Sequence, residues 1–395
     1  MKELSHGHRT WATVSLDRLR HNYTAIRAAL KPSTKLMAVV KADAYGHGAP
    51  VVARELEAMG TDFFAVSSLD EAIQLRKAHI QKDILILGST PVRDTPKLLE
   101  YRITQTVFSE EYAKQLSEAA CLEEGTLKVH FKVDTGMTRL GFLYDGGSFC
   151  QDTLRAIRDC VSLPGLDAEG IFTHFAMSDD IKSDLTVRQF NRFCDLLLHL
   201  EDFGIRFRLR HCCNSAAVIN FPEMQLDMVR PGIILFGHYP SRHMLRDLHL
   251  LPCMELLTTI SQIRTVGRDI GVGYGQTFRT FRNTRIATLP IGYADGFSRL
   301  FSNNGEVLIH GKEASIVGRI CMDQSTVDVT DIEAHEGDTV TLFGHSNGAE
   351  ISLERLAERM ETIPYEVVCL LGKRVPRIYI QDGKETEMLN YILSL

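Results

Sequence analysis

Lys41 closes the apolar run LMAVV (residues 36–40) and opens the tract KADAYGHG, so five apolar residues deliver an amine into a loop of glycine, tyrosine and histidine. A lysine in partly apolar surroundings loses its proton, because desolvation disfavours the charged form, and a neutral amine can form a Schiff base with a carbonyl. On strand and lysine alone, a side chain that snorkels into water is the plainer reading. Other groups extend the chemistry. Arg139 follows an acid and a glycine turn in KVDTGMTRLGF (residues 132–142), where a guanidinium can hold a carboxylate or a cofactor oxygen. Asn214 and Ser215 in HCCNSAAV stand at a helix opening, which offers an anion a hydroxyl and unpaired N–H groups; an ordinary helix cap is the plainer reading. Arg230, followed by Pro231, Gly232 and Ile233, ends another apolar run, and His174 ends a third. Tyr274 lies between glycines in GVGYGQTF, where a ring can approach a ligand closely.

The hydrophobic pattern predicts the elements that carry these groups. TWATVSLD (residues 10–17) alternates like a half-buried strand, and Leu19, Tyr23, Ile26 and Leu30 follow at helical spacing. From residue 36 onward short apolar runs recur: LMAVV, FFAVSS, DILILG, TQTVFS, KVHFKVD, EGIFTHF, RLRHCCNS and MVRPGIILFG. Amphipathic stretches such as SLDEAIQLRKAHI separate most of them, which is the alternation of parallel strands joined by crossover helices. Eight such units predict an α/β fold with an N-terminal (β/α)8 TIM barrel over residues 18–240, with reactive residues at the C-terminal ends of the strands. A doubly wound open sheet would carry a GxGxxG turn after its first strand, and none follows residues 36–40. Residues 238–252 are polar, hold two prolines and read as a linker. Residues 241–395 then alternate in short runs with one clear helix, residues 351–360, as in a mainly β domain. The strand within residues 1–17 is expected to pair with that domain.

Composition bounds the function. The 395 residues suit two domains, and 44% hydrophobic with 24% charged residues is ordinary for a globular enzyme. A net charge of -6 gives no hint of nucleic acid or an anionic membrane as partner. The polar start MKELSHGHRT lacks the apolar stretch of a signal peptide, and no run approaches a membrane span, so a cytoplasmic protein is expected. Nine scattered cysteines make no disulfide framework. Cys212 and Cys213 are adjacent, but no second pair or histidine cluster accompanies them, and no metal site is expected.

VVKADAYGHG resembles the cofactor-lysine motif of alanine racemases, in which the lysine carries pyridoxal 5'-phosphate and the tyrosine four residues on contacts the phosphate. KVDTGMTRLGF, THF, HCCNSAAV, MVRPGI, GVGYGQTF, LPIGYADGF, GRICMDQ and TIPYEVVC resemble further motifs of that family, in family order across nearly the whole chain. The resemblance implies that Lys41 and Tyr45 bind the cofactor and that Arg139 contacts its phenolic oxygen and the substrate carboxylate. Lys132 is the candidate for carbamylation, as a negative partner for that arginine. His174 stands beside the pyridine ring, and Arg230 faces the ring nitrogen. Asn214, Ser215, Gly232, Ile233 and Tyr365 belong to phosphate binding. Tyr293 lines the entrance, while Met322 and Asp323 belong to substrate binding.

Arg230 in that position discourages protonation of the ring nitrogen and so favours proton return at Cα over transamination. The resemblance further implies a two-base racemisation of alanine by Lys41 and the Tyr274 of a partner subunit, hence a head-to-tail homodimer with shared sites. Departures from the family pattern are Cys212 and Cys213 for alanines, Thr138 for a frequent glycine, Gly273 for serine and Phe236 for tyrosine. A serine or broad-specificity racemase would keep both bases. A non-catalytic cofactor-binding barrel would lack the β domain, and a decarboxylase would need an acid where Arg230 stands.

Overall fold

A computed structural model of the chain describes residues 7–147, 150–242 and 244–393. Residues 1–6 of the polar N-terminal stretch and His243 of the expected linker lie outside the described residues. Two compact units emerge: Arg20–Ala44 with Ala49–Leu251, and Met1–Leu19 with Tyr45–Gly48 and Pro252–Leu395.

Eight parallel strands build the first unit: Lys35–Val39, Phe63–Val66, Asp83–Ile86, Thr104–Val107, Leu127–Asp134, Leu166–Phe172, Leu209–Asn214 and Met228–Arg230. Each pairs with the next, and Met228–Arg230 returns to Lys35–Val39, so the sheet closes into the expected barrel. Strands buried on both faces need continuous apolar runs, which is why FFAV and the tail of DILI are fully buried. Two strands end well before their apolar runs do. The sixth ends at Phe172 and leaves His174 on the following loop; the eighth stops at Arg230, because Pro231 has no N–H to continue the ladder, and Ile233–Phe236 forms a 3-10 turn.

The stretch after the first strand departs most from regular backbone. Ala42, Asp43, Ala44 and Tyr45 have φ of 50°, 56°, 53° and 53°, a left-handed turn made entirely of L-residues. Each such residue costs about 1–2 kcal/mol, so the turn must be held from outside itself. The Glu71 carboxylate does this by accepting from the N–H of Ala42 at 2.7 Å with one oxygen and from that of Ser67 at 2.7 Å with the other. Asp43 in turn accepts from the N–H of Ala49 at 2.8 Å. Lys41 is thereby fixed between a buried strand and a clamped turn.

In the second unit, Thr10–Ser15 runs antiparallel to Met254–Thr259 and parallel to Arg377–Gln381. A separate sheet joins Gln262–Val266, Thr284–Leu289 and Ser325–Asp328. The run ELLTTISQIRTV, which reads as one stretch, therefore breaks near Ile260 and feeds two sheets. A second helix, Pro364–Cys369, accompanies Leu353–Arg359; six residues starting with proline are too few to display helical periodicity. Arg377, buried in this unit, donates to the carbonyls of Gly46, Leu371 and Gly372 at 2.8–2.9 Å, and the Tyr379 hydroxyl donates to His47 O at 2.9 Å. No helix among the described residues is long and apolar enough to cross a membrane.

Replacing Glu71 by alanine removes a charged acceptor from two N–H groups and should lower the stability of the fold by about 1.5–3 kcal/mol, with Glu71→Gln, which keeps one acceptor oxygen and turns an NH2 donor toward the other N–H, losing at least half of that. Denaturant unfolding of the three proteins measures it. An unchanged midpoint in Glu71→Ala would show that the turn holds itself.

Candidate active site

The C-terminal rim of the barrel concentrates positive charge. Arg230 stands opposite Asn214 in the register of the last two strands and is almost completely buried. Its guanidinium donates to Thr173 O at 2.8 Å, Cys212 O at 3.0 Å, His211 Nδ1 at 2.9 Å and His174 Nδ1 at 3.2 Å. Burial lowers its pKa to about 10, so it remains charged near neutral pH. These partners are all neutral acceptors. They satisfy hydrogen-bond geometry and leave the charge uncompensated.

Lys132, Phe172 and His211 are register neighbours on three adjacent strands. His211 stacks on Phe172 at 4.7 Å between centroids, and Lys132 Nζ and Arg230 Cζ lie 5.4 and 5.3 Å from the centre of the same ring. The buried Lys132 amine donates to Val133 O at 2.8 Å. Burial, and then repulsion by Arg230 and Arg139, outweigh Asp134 and bring Lys132 down to about 7. His174 is held well below its ordinary value by burial and by the charges of Arg230, Lys132, Arg139 and Lys41, so it is neutral and within electrostatic reach of all four.

Arg139 is placed by its own loop. Asp134 accepts from the N–H groups of Gly136 and Met137 at 2.8 Å each and of Arg139 at 2.9 Å. Burial pushes the Asp134 carboxyl up, but these backbone donors pull it further down, and it stays ionised. Thr138 adopts φ of 57° inside this loop, a conformation that glycine takes without strain. On the neighbouring loop the Ser215 hydroxyl accepts from Gly232 N at 2.8 Å, just before Ile233. Asn214 caps the helix Ser215–Asn220 by accepting from Ala217 N at 3.0 Å and takes a hydrogen bond from Ser178 Oγ at 2.9 Å. The buried thiols of Cys212 and Cys213 both donate to Met224 O, so they point away from this loop into packed structure.

The remaining residues belong to the second unit. The rings of Tyr45 and Tyr365 meet edge to face at 5.8 Å. Tyr274 is 71% exposed on a turn between Gly273 and Gly275, whose φ of 68° and 71° suit glycine. Tyr293 and Met322 ride on two loops zipped together by Tyr293 N to Cys321 O at 3.1 Å and Ala294 N to Met322 O at 3.0 Å. A Cβ on Gly292 would lie 2.3 Å from Cys321 O, so only glycine permits that approach. Arg374 ties the loops by pairing with Asp323 at 2.8 Å and with the buried Asp295 at 3.2 Å. The sequence reading passed over His211, Glu71 and Arg374. His211 carried a legible signal, since it opens HCCNS three residues before Asn214; the other two lie in unremarkable helical or loop sequence.

A closed parallel barrel with uncompensated cations at its C-terminal rim defines an enzyme-type site for an anionic organic ligand, and a phosphorylated cofactor with a phenolic oxygen fits that charge. The profile of the alanine racemase N-terminal domain matches residues 14–240, and that of the alanine racemase C-terminal domain matches residues 253–379. The alanine racemase 2 of Caldanaerobacter subterraneus subsp. tengcongensis is 44% identical over 97% of this chain and 98% of its own length. The alanine racemase of Clostridium difficile 630 superposes with a TM-score of 0.94 at 40% identity, covering 98% of this chain and all of that one. An alanine racemase from Bartonella henselae, with covalently bound pyridoxal phosphate, superposes with a TM-score of 0.84 at 29% identity, over 94% of this chain and all of that one. This chain belongs to the alanine racemase family, whose cofactor is pyridoxal 5'-phosphate.

A group whose folded pKa is depressed contributes its full stability above its unfolded value and loses it as the pH falls toward the folded value. For Lys132 the window runs from the ordinary 10.5 down to about 7; for His174 and His211 it opens below 6.5. In carbonate-free buffer the stability of the wild type relative to Lys132→Met should fall as the pH is lowered from 10 to 7, by at most about 1.4 kcal/mol per unit from this one proton. Lys132→Met should lack that contribution and keep the loss below pH 6.5. An equal slope in both proteins would show that Lys132 is not held neutral.

Proposed function

We propose that the protein interconverts L- and D-alanine, with Lys41 and the Tyr274 of a second copy as bases on opposite faces of Cα. The observation that supports this reading is the match of both alanine racemase domains, with the buried Arg230 donating to His174 Nδ1 at 3.2 Å at the strand ends. Lys41 would hold pyridoxal 5'-phosphate there, and the chemistry the cofactor would supply is an electron sink for a carbanion at Cα.

The residues of the chain do the rest. Ser215, Asn214, Gly232, Ile233, Tyr45 and Tyr365 hold the phosphate. Arg139 holds the substrate carboxylate with the Met322 N–H, and Asp323, anchored by Arg374, keeps that loop in place. Arg230, still protonated, would donate to the ring nitrogen and discourage its protonation, and neutral His174 accepts from the same guanidinium. Lys41 removes the proton from D-alanine and Tyr274 the proton from L-alanine, each returning one on its own face. Tyr293 lines the entrance. Lys132 carries a carbamate, which forms only on a neutral amine and would set an anion among Arg139 and Arg230.

A homodimer is part of this reading, because inversion needs a base on the second face. The exposed Tyr274, Phe281 and Met322, at 71%, 67% and 53%, support it as surface that a partner would cover. The reading also includes a cytoplasmic setting, in keeping with nine cysteines whose scattered spacing makes no disulfide framework.

Solvent deuterium incorporation at Cα tests the two bases. Tyr274→Phe should lose inversion of L-alanine by about 10²–10⁴-fold while Lys41 still exchanges the proton of D-alanine. Mixing Tyr274→Phe with Lys41→Ala should restore activity, since a mixed dimer regains one complete site. Failure to restore it rejects sharing between copies. Labelled bicarbonate should give a carbamate carbon signal that Lys132→Ala lacks; a wild-type protein without the signal carries a plain amine.

A further inference from the structure

A line of buried polar groups runs through the barrel interior beneath the rim, and the site described above uses only its end. Arg230 Nη1 is 2.9 Å from His211 Nδ1, His211 Nε2 is 2.9 Å from His130 Nδ1, and His130 Nε2 is 3.4 Å from Glu169 Oε2. Glu169 is anchored in turn by Lys128 at 3.3 Å and Arg208 at 3.7 Å, and these pair with Asp83 at 3.3 Å and Asp167 at 2.7 Å. Both imidazoles are completely buried.

The hydrogen-bond roles along this line are forced. A guanidinium nitrogen only donates, so His211 Nδ1 must accept. Burial, followed by the charge of Arg230, keeps His211 neutral; its proton is therefore on Nε2 and is donated to His130 Nδ1. Burial also holds His130 below its ordinary value, so its own proton is on Nε2 and points at Glu169. Burial pushes Glu169 up, but the bond from His130 and the Lys128 charge bring it down to about 2, so it is an ionised acceptor. The opposite polarity would set two N–H groups against each other between His211 and Arg230, at a cost of about 1–3 kcal/mol.

Packing holds the rings in this line. His211 stacks on Phe172, and a Cβ on Gly170 would lie 2.7–2.8 Å from three atoms of the His130 ring, so glycine at that position makes room for the imidazole.

We infer that Glu169, at the far end of the barrel interior, is a positioning residue for Arg230, acting through His130 and His211 as two tautomer-locked imidazoles. The fixed acceptor for Nη1, together with the carbonyls of Thr173 and Cys212 at Nη2, sets the orientation of the guanidinium and directs its remaining N–H edge. This rests on the proposed role of Arg230 at the cofactor ring.

The test uses ¹⁵N-histidine-labelled holoenzyme. Wild type should show His130 and His211 as neutral Nε2–H tautomers. Glu169→Gln, which keeps an acceptor oxygen, should retain them. Glu169→Leu and Gly170→Ala should mix the tautomers and raise pyruvate released by transamination, relative to racemisation, by about tenfold, with KM for alanine within about twofold of wild type. Glu169→Gln should rescue the ratio. A charged or Nδ1–H histidine in wild type overturns the inference, and that measurement needs no variant to fold. Unchanged tautomers and product ratio in Glu169→Leu overturn it equally. A wild type that exchanges no alanine proton would defeat the functional reading, while the tautomer measurement would still decide the relay.

Discussion

The burial of the Arg230 charge is the constraint on which the rim depends. A guanidinium taken out of water among carbonyls and neutral imidazoles is tolerable only if its N–H groups are satisfied and its charge finds an anion. The carbonyls of Thr173 and Cys212, at the ends of the sixth and seventh strands, meet the first requirement. The second makes the site select its ligand. Burial first, and then the same field, keep His174 neutral and bring Lys132 toward neutrality.

Lys41 is governed by a different balance. Its strand is stabilised by apolar burial, but the turn that follows is intrinsically unfavourable and is held by carboxylates at Glu71 and Asp43. These carboxylates keep the backbone from relaxing into a right-handed helix. The loops of the second unit show the opposite economy. Gly292 permits two backbones to approach, and Arg374 joins Asp295 to Asp323, so Tyr293 and Met322 stand exposed on a braced platform.

Much of the architecture was legible because parallel barrel strands are buried on both faces and announce themselves as apolar runs. Each of the eight runs overlaps one of the eight strands. The motif residues were legible in kind: Arg139 after an acid and a turn, Ser215 beside Asn214, Tyr274 between glycines. Less visible were the elements whose shape comes from distant partners. KADAY is rich in helix formers and carries no mark of left-handedness, and the break in ELLTTISQIRTV appears only when each half finds its own sheet.

By itself the sequence determined the inventory of reactive groups, their order along the chain and the strand ends that carry them, since these follow from side-chain chemistry and hydrophobic period. Tertiary structure alone decided which groups are charged and which way their hydrogen bonds run. His130 and His211 are 81 residues apart, and Arg230 is 57 residues from the carbonyl of Thr173. Proton affinity depends on burial and on neighbours brought close in space, and no local spacing encodes either.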